Sequence, residues 1–425
     1  MRKPISLYLP PGFQRYDCQL CGACCRAGFA VVTTEEERER IRAQGWEQLP
    51  EFQGKELFVR RPGGEYVVGQ REDGACLFLG DDGLCRIHAK YGEEAKPFAC
   101  RPYPFILLPV GGEVRASLRF DCPAVVANEG RPLPQHRAHL QTLAAHALPK
   151  GARPPAPPPF REGLMLEWRE LSLVAAAFDR LIAAESLDIT RRLLVCADLA
   201  GLLQQAKMAD LEGRKLEGFL SNLTRWLIEG VAANPLERKR PAGGVLPMFR
   251  QAAGLYARLD RIAETQEGVA TRLARVTRRL SHALRLLGGW GTVPPVREGL
   301  PRVRWSAMER PFGIPDAECA EVLARYYRVK LDALGFCGRA MYGWPFLEGA
   351  GALFHTYPLI LWFARLFAIG KGKERLDAEE VRQAIRVVDR PHGTSVALSV
   401  RTERIRLRFL SQHENLSTLI VWYGT

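Results

Sequence analysis

Four thiols fall within eight residues of this chain, in the run Cys18-Gln19-Leu20-Cys21-Gly22-Ala23-Cys24-Cys25. Cys76, Cys85, Cys100 and Cys122 follow, so eight of the eleven cysteines lie in the first 122 residues. Thiolates two residues apart let one turn of backbone wrap an ion or cluster while nearby N–H groups bond the sulfurs. Gly22 and Ala23 keep that loop small, and glycine supplies backbone angles that a bulky residue could not adopt in a tight chelate ring. Cys76 and Cys85 flank Gly80-Asp81-Asp82-Gly83, a turn that brings two more thiols together as a second chelating element.

Disulfides are the competing reading, and they need an oxidising compartment. Met1–Pro10 has two early positive charges but neither a signal-length apolar run nor a small-residue cleavage site, which predicts a cytoplasmic chain. In that setting a thiol cluster reads as metal-binding or catalytic ahead of disulfides or unligated thiols. The candidate metal ligands are therefore Cys18, Cys21, Cys24, Cys25, Cys76, Cys85, Cys100 and Cys122. His88, three residues after Cys85, reads as a helix-surface histidine. Cys196, Cys319 and Cys337 lie in apolar helical patterns and read as small hydrophobes.

Zinc takes four tetrahedral ligands, so eight cysteines fill two such sites. A [4Fe-4S] cluster also takes four thiolates, and Cys18, Cys21, Cys24 and Cys122-Pro123 echo the C-x-x-C-x-x-C and distant Cys-Pro of bacterial ferredoxins. Adjacent Cys24 and Cys25 do not readily aim at one site, so one of them serves a second site or stays unligated. Ligand softness and spacing favour iron–sulfur over zinc, with both open.

The elements that must position these thiols are short. Leu57–Arg61 and Glu65–Gly69 flank Pro62-Gly63-Gly64, and Phe105–Val110 and Glu113–Phe120 flank Gly111-Gly112; both read as hairpins. Thr33-Thr34 followed by Glu35, Glu36 and Glu37 reads as a capped helix start. Residues 149–160 (PKGARPPAPPPF) read as a semi-rigid surface spacer. From Glu167 the pattern is helical. The expected fold is α+β: a cysteine-rich metal domain with short hairpins over 1–130, a Pro-rich linker over 131–165, and a mainly helical basic domain over 166–425.

Charge divides along the same line. Residues 1–130 hold 17 Lys+Arg and 18 Asp+Glu, whereas the remainder holds 43 and 29, a balance of +14. Such an excess favours an acidic protein surface or an anionic cofactor as partner. Leu255, Leu259, Ile262, Val269, Leu273, Val276, Leu280, Leu284 and Leu287 recur at mostly three- and four-residue steps, which predicts one apolar stripe along a long helix. Arg258, Arg261, Arg272, Arg275, Arg278, Arg279 and Arg285 fall on its other face. No aromatics are interleaved there to stack bases, which argues against nucleic acid.

Ala317–Leu334 and Pro345–Ile369 also read as helices, separated by the aromatic turn Tyr342–Phe346. The apolar run from Tyr357 to Gly370 is too short to span a bilayer and carries Arg365, which predicts a buried helix and no membrane. Val396–Phe409 alternates apolar and polar residues and reads as a hairpin.

Together, CQLCGACC at 18–25, CLFLGDDGLCRIH at 76–88, KPFACRPYPF at 96–105 and DCP at 121–123 resemble the CxxCxxCC (YkgJ-type) cysteine-cluster family, a zinc- or iron-chelating group. Lys96 stands where that family usually has Arg. The stretch from Tyr326 to Leu366 is similar, more distantly, to the flagellin lysine-N-methylase (FliB-like) branch. That resemblance implies a protein-lysine N-methyltransferase using S-adenosylmethionine or another methyl donor, with a protein substrate. The residues themselves supply no donor site. Glu348-Gly349-Ala350-Gly351-Ala352 neither follows a strand nor opens a βαβ unit, so it reads as close helix packing. Tyr326, Tyr327, Tyr342 and Trp344 could cage an amine, and read more simply as core. No catalytic base is assigned. A non-enzymatic zinc-binding interaction module is the alternative.

Overall fold

The computed structural model describes residues 6–10, 12–61, 63–147, 153–208, 211–258, 269–297 and 299–425. It shows the expected α+β arrangement, with short strands in the cysteine-rich part and helices beyond it.

Both local hairpin signals form. Phe58–Arg60 pairs antiparallel with Tyr66–Val68, and Val32–Thr33 adds to the other edge of Tyr66–Val68. Phe105–Val110 pairs antiparallel with Glu113–Leu118, against which Ser6–Tyr8 lies parallel. The Glu35–Arg42 helix begins with a complete capping box: Thr34 Oγ1 accepts from Glu37 N–H, and the Glu37 carboxylate accepts from Thr34 N–H at 2.9 Å. Each bond satisfies a helix-end donor that would otherwise lack a partner.

Two cores result. Ile41, Trp46, Phe52, Leu57, Phe58, Val68, Leu77, Phe78 and Ile87 form a small one, with Trp46 edge-on to Phe78 at 5.4 Å. The larger core joins the Phe105–Leu118 hairpin and the Pro123–Ala127 helix to the helical part. Buried Arg325 fastens that joint, donating to the carbonyls of Val125 at 2.9 Å and Val126 at 2.7 Å and to Gln14 Oε1 at 3.0 Å. The carbonyls at a helix C-terminus thus receive a cation, which the helix dipole favours.

The Ala317–Asp332 and Phe346–Gly370 helices form as expected. Among the described residues Phe346–Gly370 is the one helix long and apolar enough to cross a membrane, and 89% of its most apolar window is buried within the protein. Its Arg365 is fully enclosed and donates to the carbonyls of Arg310 at 3.0 Å, Tyr423 at 2.8 Å and Thr425 at 3.1 Å. Gly349 packs where a Cβ would press into the Phe336 carbonyl, so the Gly-rich segment serves close packing. Tyr326, Tyr327 and Trp344 are core residues.

Three expectations fail. Val396–Phe409 is helical, as Val396–Ser399 and Arg401–Leu410. Helical spacing of four carries Arg404 and Arg408 onto the same Glu348 carboxylate, at 2.7 Å each, an arrangement that alternation along a strand does not provide. The end of the Pro-rich segment is not a surface spacer either. Phe160 is fully buried against Phe346, and the carbonyls of Pro159 and Phe160 accept from Phe346 and Leu347 N–H; residues 149–152 lie outside the described residues.

The third failure concerns the leucine stripe. Val245–Ala257 and Val269–Gly288 are helical, while Leu259, Arg261 and Ile262 lie outside the described residues, as do the side chains of Val269 and Arg272. Leu273, Val276, Leu280, Leu284 and Leu287 are exposed, whereas Leu286 is buried and Arg275, Arg279 and His282 are half-buried. The expected single helix thus does not run through: Val245–Ala257 ends at Arg258, whose backbone is extended, and the stripe from Leu273 onward faces solvent. Gly254 leaves the spot that the Leu286 side chain fills where the two helices pack.

Candidate metal centre

The thiols sit on separate elements that backbone bonds draw together. Cys18–Cys25 forms a loop closed by Arg26 N–H to Gly22 O at 3.1 Å and by the Arg26 guanidinium to Cys21 O at 2.9 Å. Gly22 has φ +64°, and a Cβ there would press into Gly83 O of the second thiol element. Cys76 N–H donates to Cys25 O at 2.8 Å, and a bridge between Leu79 and Cys85 closes the turn that carries Cys85 back. Cys85 precedes the Arg86–Tyr91 helix as its N-cap residue.

Cys122 is placed from the other side. It is the N-cap residue of the Pro123–Ala127 helix; its side chain makes no capping hydrogen bond, but the N–H groups of Ala124 and Val125 lie on its side of the helix start. Those donors favour the thiolate, yet burial outweighs them and pushes the thiol up to about 11. The entry to the Cys18 loop is held nearby: Asp17 N–H donates to Glu129 O at 3.0 Å, Arg131 grips the Asp17 carboxylate at 2.9 Å, and His136 Nε2 lies 2.7 Å from Tyr16 O.

Electrostatic influences reach across the site from two sides and overlap at Cys24, which acts on Tyr16 and also raises Cys100. The Tyr16 hydroxyl is driven up by burial first and then by Cys18, Cys122 and Cys24, while Cys122 is raised in turn by Cys21. Cys25 responds to a different group. Its contact with Cys24 is the largest influence and lowers it, but Cys76, burial and Cys85 prevail and leave it at about 12. Cys100 is also held at about 12, by burial and then by Cys25 and Cys85. Cys24 and Cys25 stand at the boundary, their Sγ atoms 4.0 Å apart. Cys24 is raised well above its usual range, first by its contact with Cys25.

Such mutually raised thiols are poor anions on their own, because each added thiolate repels the others in a desolvated site. A bound cation removes that repulsion, so the donor set suits a soft metal. Lys96 acts in the same sense, favouring the thiolate forms of Cys24 and Cys100; the Lys at this position keeps the positive charge of the usual Arg.

A cavity of about 470 Å³ opens beside Cys24, Cys25, Cys76, Cys85 and Cys100. Phe29, Phe78, Phe98, Tyr103 and Phe105 make its walls largely apolar, with Lys96 and Arg119 as its charged residues. Arg119 lies over the Phe29 ring at 4.6 Å and is tethered to Asp121 at 3.2 Å, which also accepts from the Tyr103 hydroxyl at 3.2 Å. Sequence reasoning missed Tyr16, Tyr103 and Arg119; the only local signal was Tyr103 within RPYPF.

As placed, no three or more His, Cys, Asp or Glu side chains among the described residues crowd to the distances of one ion. His88 is exposed on the Arg86–Tyr91 helix, as a surface histidine. Cys196, Cys319 and Cys337 are buried in the helical core, as expected.

Residues 17–123 match the model of the CxxCxxCC family, described as a zinc- or iron-chelating domain. No curated protein and no solved structure matches the chain. The match begins one residue before Cys18 and ends one residue after Cys122, so it encloses all eight thiols. The thiol-bearing part of this protein is a metal-binding cysteine-cluster domain of the CxxCxxCC family.

Proposed function

We propose that the chain is an iron–sulfur protein whose eight N-terminal thiols divide into two four-thiolate sets: Cys18, Cys21, Cys24 and Cys122, and Cys25, Cys76, Cys85 and Cys100. The observation that carries this reading is that Cys122-Pro123, a hundred residues downstream in sequence, comes to the same tyrosine as Cys18 and Cys24. That approach supports the ferredoxin-like reading, in which a distant Cys-Pro supplies the fourth thiolate. Apolar walls around the second set and N–H donors at Cys122 are the means by which a protein tunes a cluster.

Protein purified without oxygen should carry iron and acid-labile sulfide and absorb broadly near roughly 400 nm, as thiolate-held clusters do. Stoichiometric zinc with no sulfide, before and after anaerobic reconstitution, would replace this reading with a zinc-binding module.

The resemblance to the lysine-N-methylase branch extends the proposal to methyl transfer onto a protein lysine. The residues that carry it, from Tyr326 to Leu366, mostly build buried helices, so the cavity beside the thiols is the better place for a donor or substrate. Incubation of the anaerobic protein with isotope-labelled S-adenosylmethionine and a lysine-rich acceptor protein tests this by mass spectrometry; no label on any lysine would count against it.

A further inference from the structure

Arginines from three segments of the chain gather beside Asp121. Arg119, which follows the Glu113–Leu118 strand, holds the Asp121 carboxylate at 3.2 Å, while Arg390, at the end of the Ala378–Asp389 helix, stands 3.9 Å from it. Arg386 Nε donates to the Asp121 carbonyl at 3.3 Å. Arg297 joins them from a loop that Val293 N–H closes onto Val303 O at 2.8 Å. We propose that Arg297, Arg386 and Arg390 form a binding site for a phosphate group.

The nearby carboxylates are too few for these cations. Asp121 is buried and also accepts from the Tyr103 hydroxyl at 3.2 Å, and Asp389 is taken by Lys330 at 2.7 Å. Among the described residues, the four guanidiniums of Arg119, Arg297, Arg386 and Arg390 thus share the one carboxylate of Asp121, a surplus of three positive charges. Arg390 Nε is buried without a hydrogen bond. One turn earlier on the same helix Arg382 does have a carboxylate, Glu318 at 2.8 Å. Burial and then Arg390 and Arg386 push Arg297 down to about 10, so the crowding of like charge is felt there.

The C-terminal end of a helix favours a cation in its last turn, which accounts for Arg386 and Arg390 taken singly. It does not account for Arg119 and Arg297, which arrive from other segments at the same spot. Half-buried like charges are costly to hold together without a counter-ion. The planar guanidinium fork matches the oxygens of phosphate, and a phosphate dianion offsets the surplus further than a single carboxylate does. Arg297, Arg386 and Arg390 each keep part of their surface open to solvent, so such a group can enter. Arg119 also lines the cavity beside the thiols and donates to Arg390 O at 3.1 Å. The phosphate is therefore either free or the end of a monoester whose apolar body lies in that cavity.

Isothermal titration calorimetry of the full chain, at constant ionic strength in buffer without phosphate or sulfate, tests the site with inorganic phosphate and with phenyl phosphate. Saturable one-to-one binding is expected. Arg297→Gln and Arg390→Gln should each weaken it about tenfold, the worth of one charge-assisted hydrogen bond. Arg240→Gln, at an exposed arginine elsewhere, should leave it unchanged. Without phosphate, Arg297→Gln should melt no lower than the native chain, because it relieves repulsion, whereas loss of a purely structural arginine lowers the melting temperature. Tighter binding of phenyl phosphate assigns the site to monoesters that reach the cavity, and equal binding assigns it to free phosphate. If Arg390→Gln does not fold, Arg297→Gln decides alone. The proposal is overturned if neither probe saturates, if Arg297→Gln binds as tightly as the native chain, or if Arg297→Gln lowers the melting temperature without phosphate.

Discussion

Lys330 Nζ lies 2.7 Å from Asp389 Oδ1 in the interior, and the other carboxylate oxygen of Asp389 accepts from Phe120 N–H at 2.6 Å. Lys330 also donates to Leu118 O at 3.0 Å. One buried ion pair therefore holds the backbone two residues before Cys122 from two helices of the helical part. Removing one partner strands the other charge. Asp389→Ala should cost about 3–5 kcal/mol in denaturant unfolding. It should also lower metal retention at Cys122, whereas an exposed change such as Lys239→Ala should do neither.

Metal content should follow the partition of the thiols. Cys18→Ser or Cys21→Ser should remove about half of the bound iron, and Cys76→Ser or Cys85→Ser the other half, because a hydroxyl is a hard and poor substitute for a thiolate. Cys196→Ala and Cys319→Ala should leave iron unchanged, since both sulfurs are enclosed in the helical core. Total loss of iron from any single N-terminal change would indicate one shared centre instead of two.

Gly22→Ala should be among the most damaging single changes near the site. The new methyl group needs a positive φ that L-residues rarely adopt and presses on the Gly83 carbonyl, which has no soft side chain to yield. Iron content should fall by at least half, while helical circular dichroism from the larger part persists.

Asp332 predicts the direction of a pH effect. Burial raises its carboxyl to about 6, against the lowering influence of the Tyr8 hydroxyl, which donates to it at 2.6 Å. The folded state thus holds this proton more tightly than the unfolded one. The resulting stability is complete below the unfolded pKa near 3.8 and is lost as pH rises through about 6. Asp332→Asn retains the acceptor for Tyr8 and removes the buried charge. It should raise the melting temperature at pH 8, by an amount corresponding to at most about 3 kcal/mol, and the gain should shrink at pH 5.

The parts of the fold that could be read from sequence are those decided within a few residues. Thr34 and Glu37 specify a helix start by themselves, and Gly111-Gly112 specifies a turn between the strands on either side. The cysteine-cluster domain over 17–123 was legible for the same reason, since C-x-x-C spacing is a local geometry. The leucine stripe forms from Leu273 onward but not along one helix from Leu255, because periodicity reports that a face is apolar and neither what lies opposite nor where the backbone turns out of the helix. Leu286 turns inward onto Gly254, a contact that no local pattern announces. Residues 396–409 misled because alternating Arg and Leu fits both a strand and a helix until Glu348 is known to stand beside Arg404 and Arg408. Tyr16 and Arg119 entered the site only through tertiary placement, for which neither has a sequence signal.

The small core around Trp46 and Phe78 has a consequence for how loss of metal would be sensed. It shares no buried residue with the larger core, so its free energy of opening can be set separately from that of the helices. Its strands and turns are tied to the Cys18–Cys25 loop by the Cys25–Cys76 backbone bond. A metal leaving the thiols would then shorten amide-exchange lifetimes and expose protease sites within 31–98 alone. The helices beyond would stay intact, and the chain would report its metal state as a change in local order.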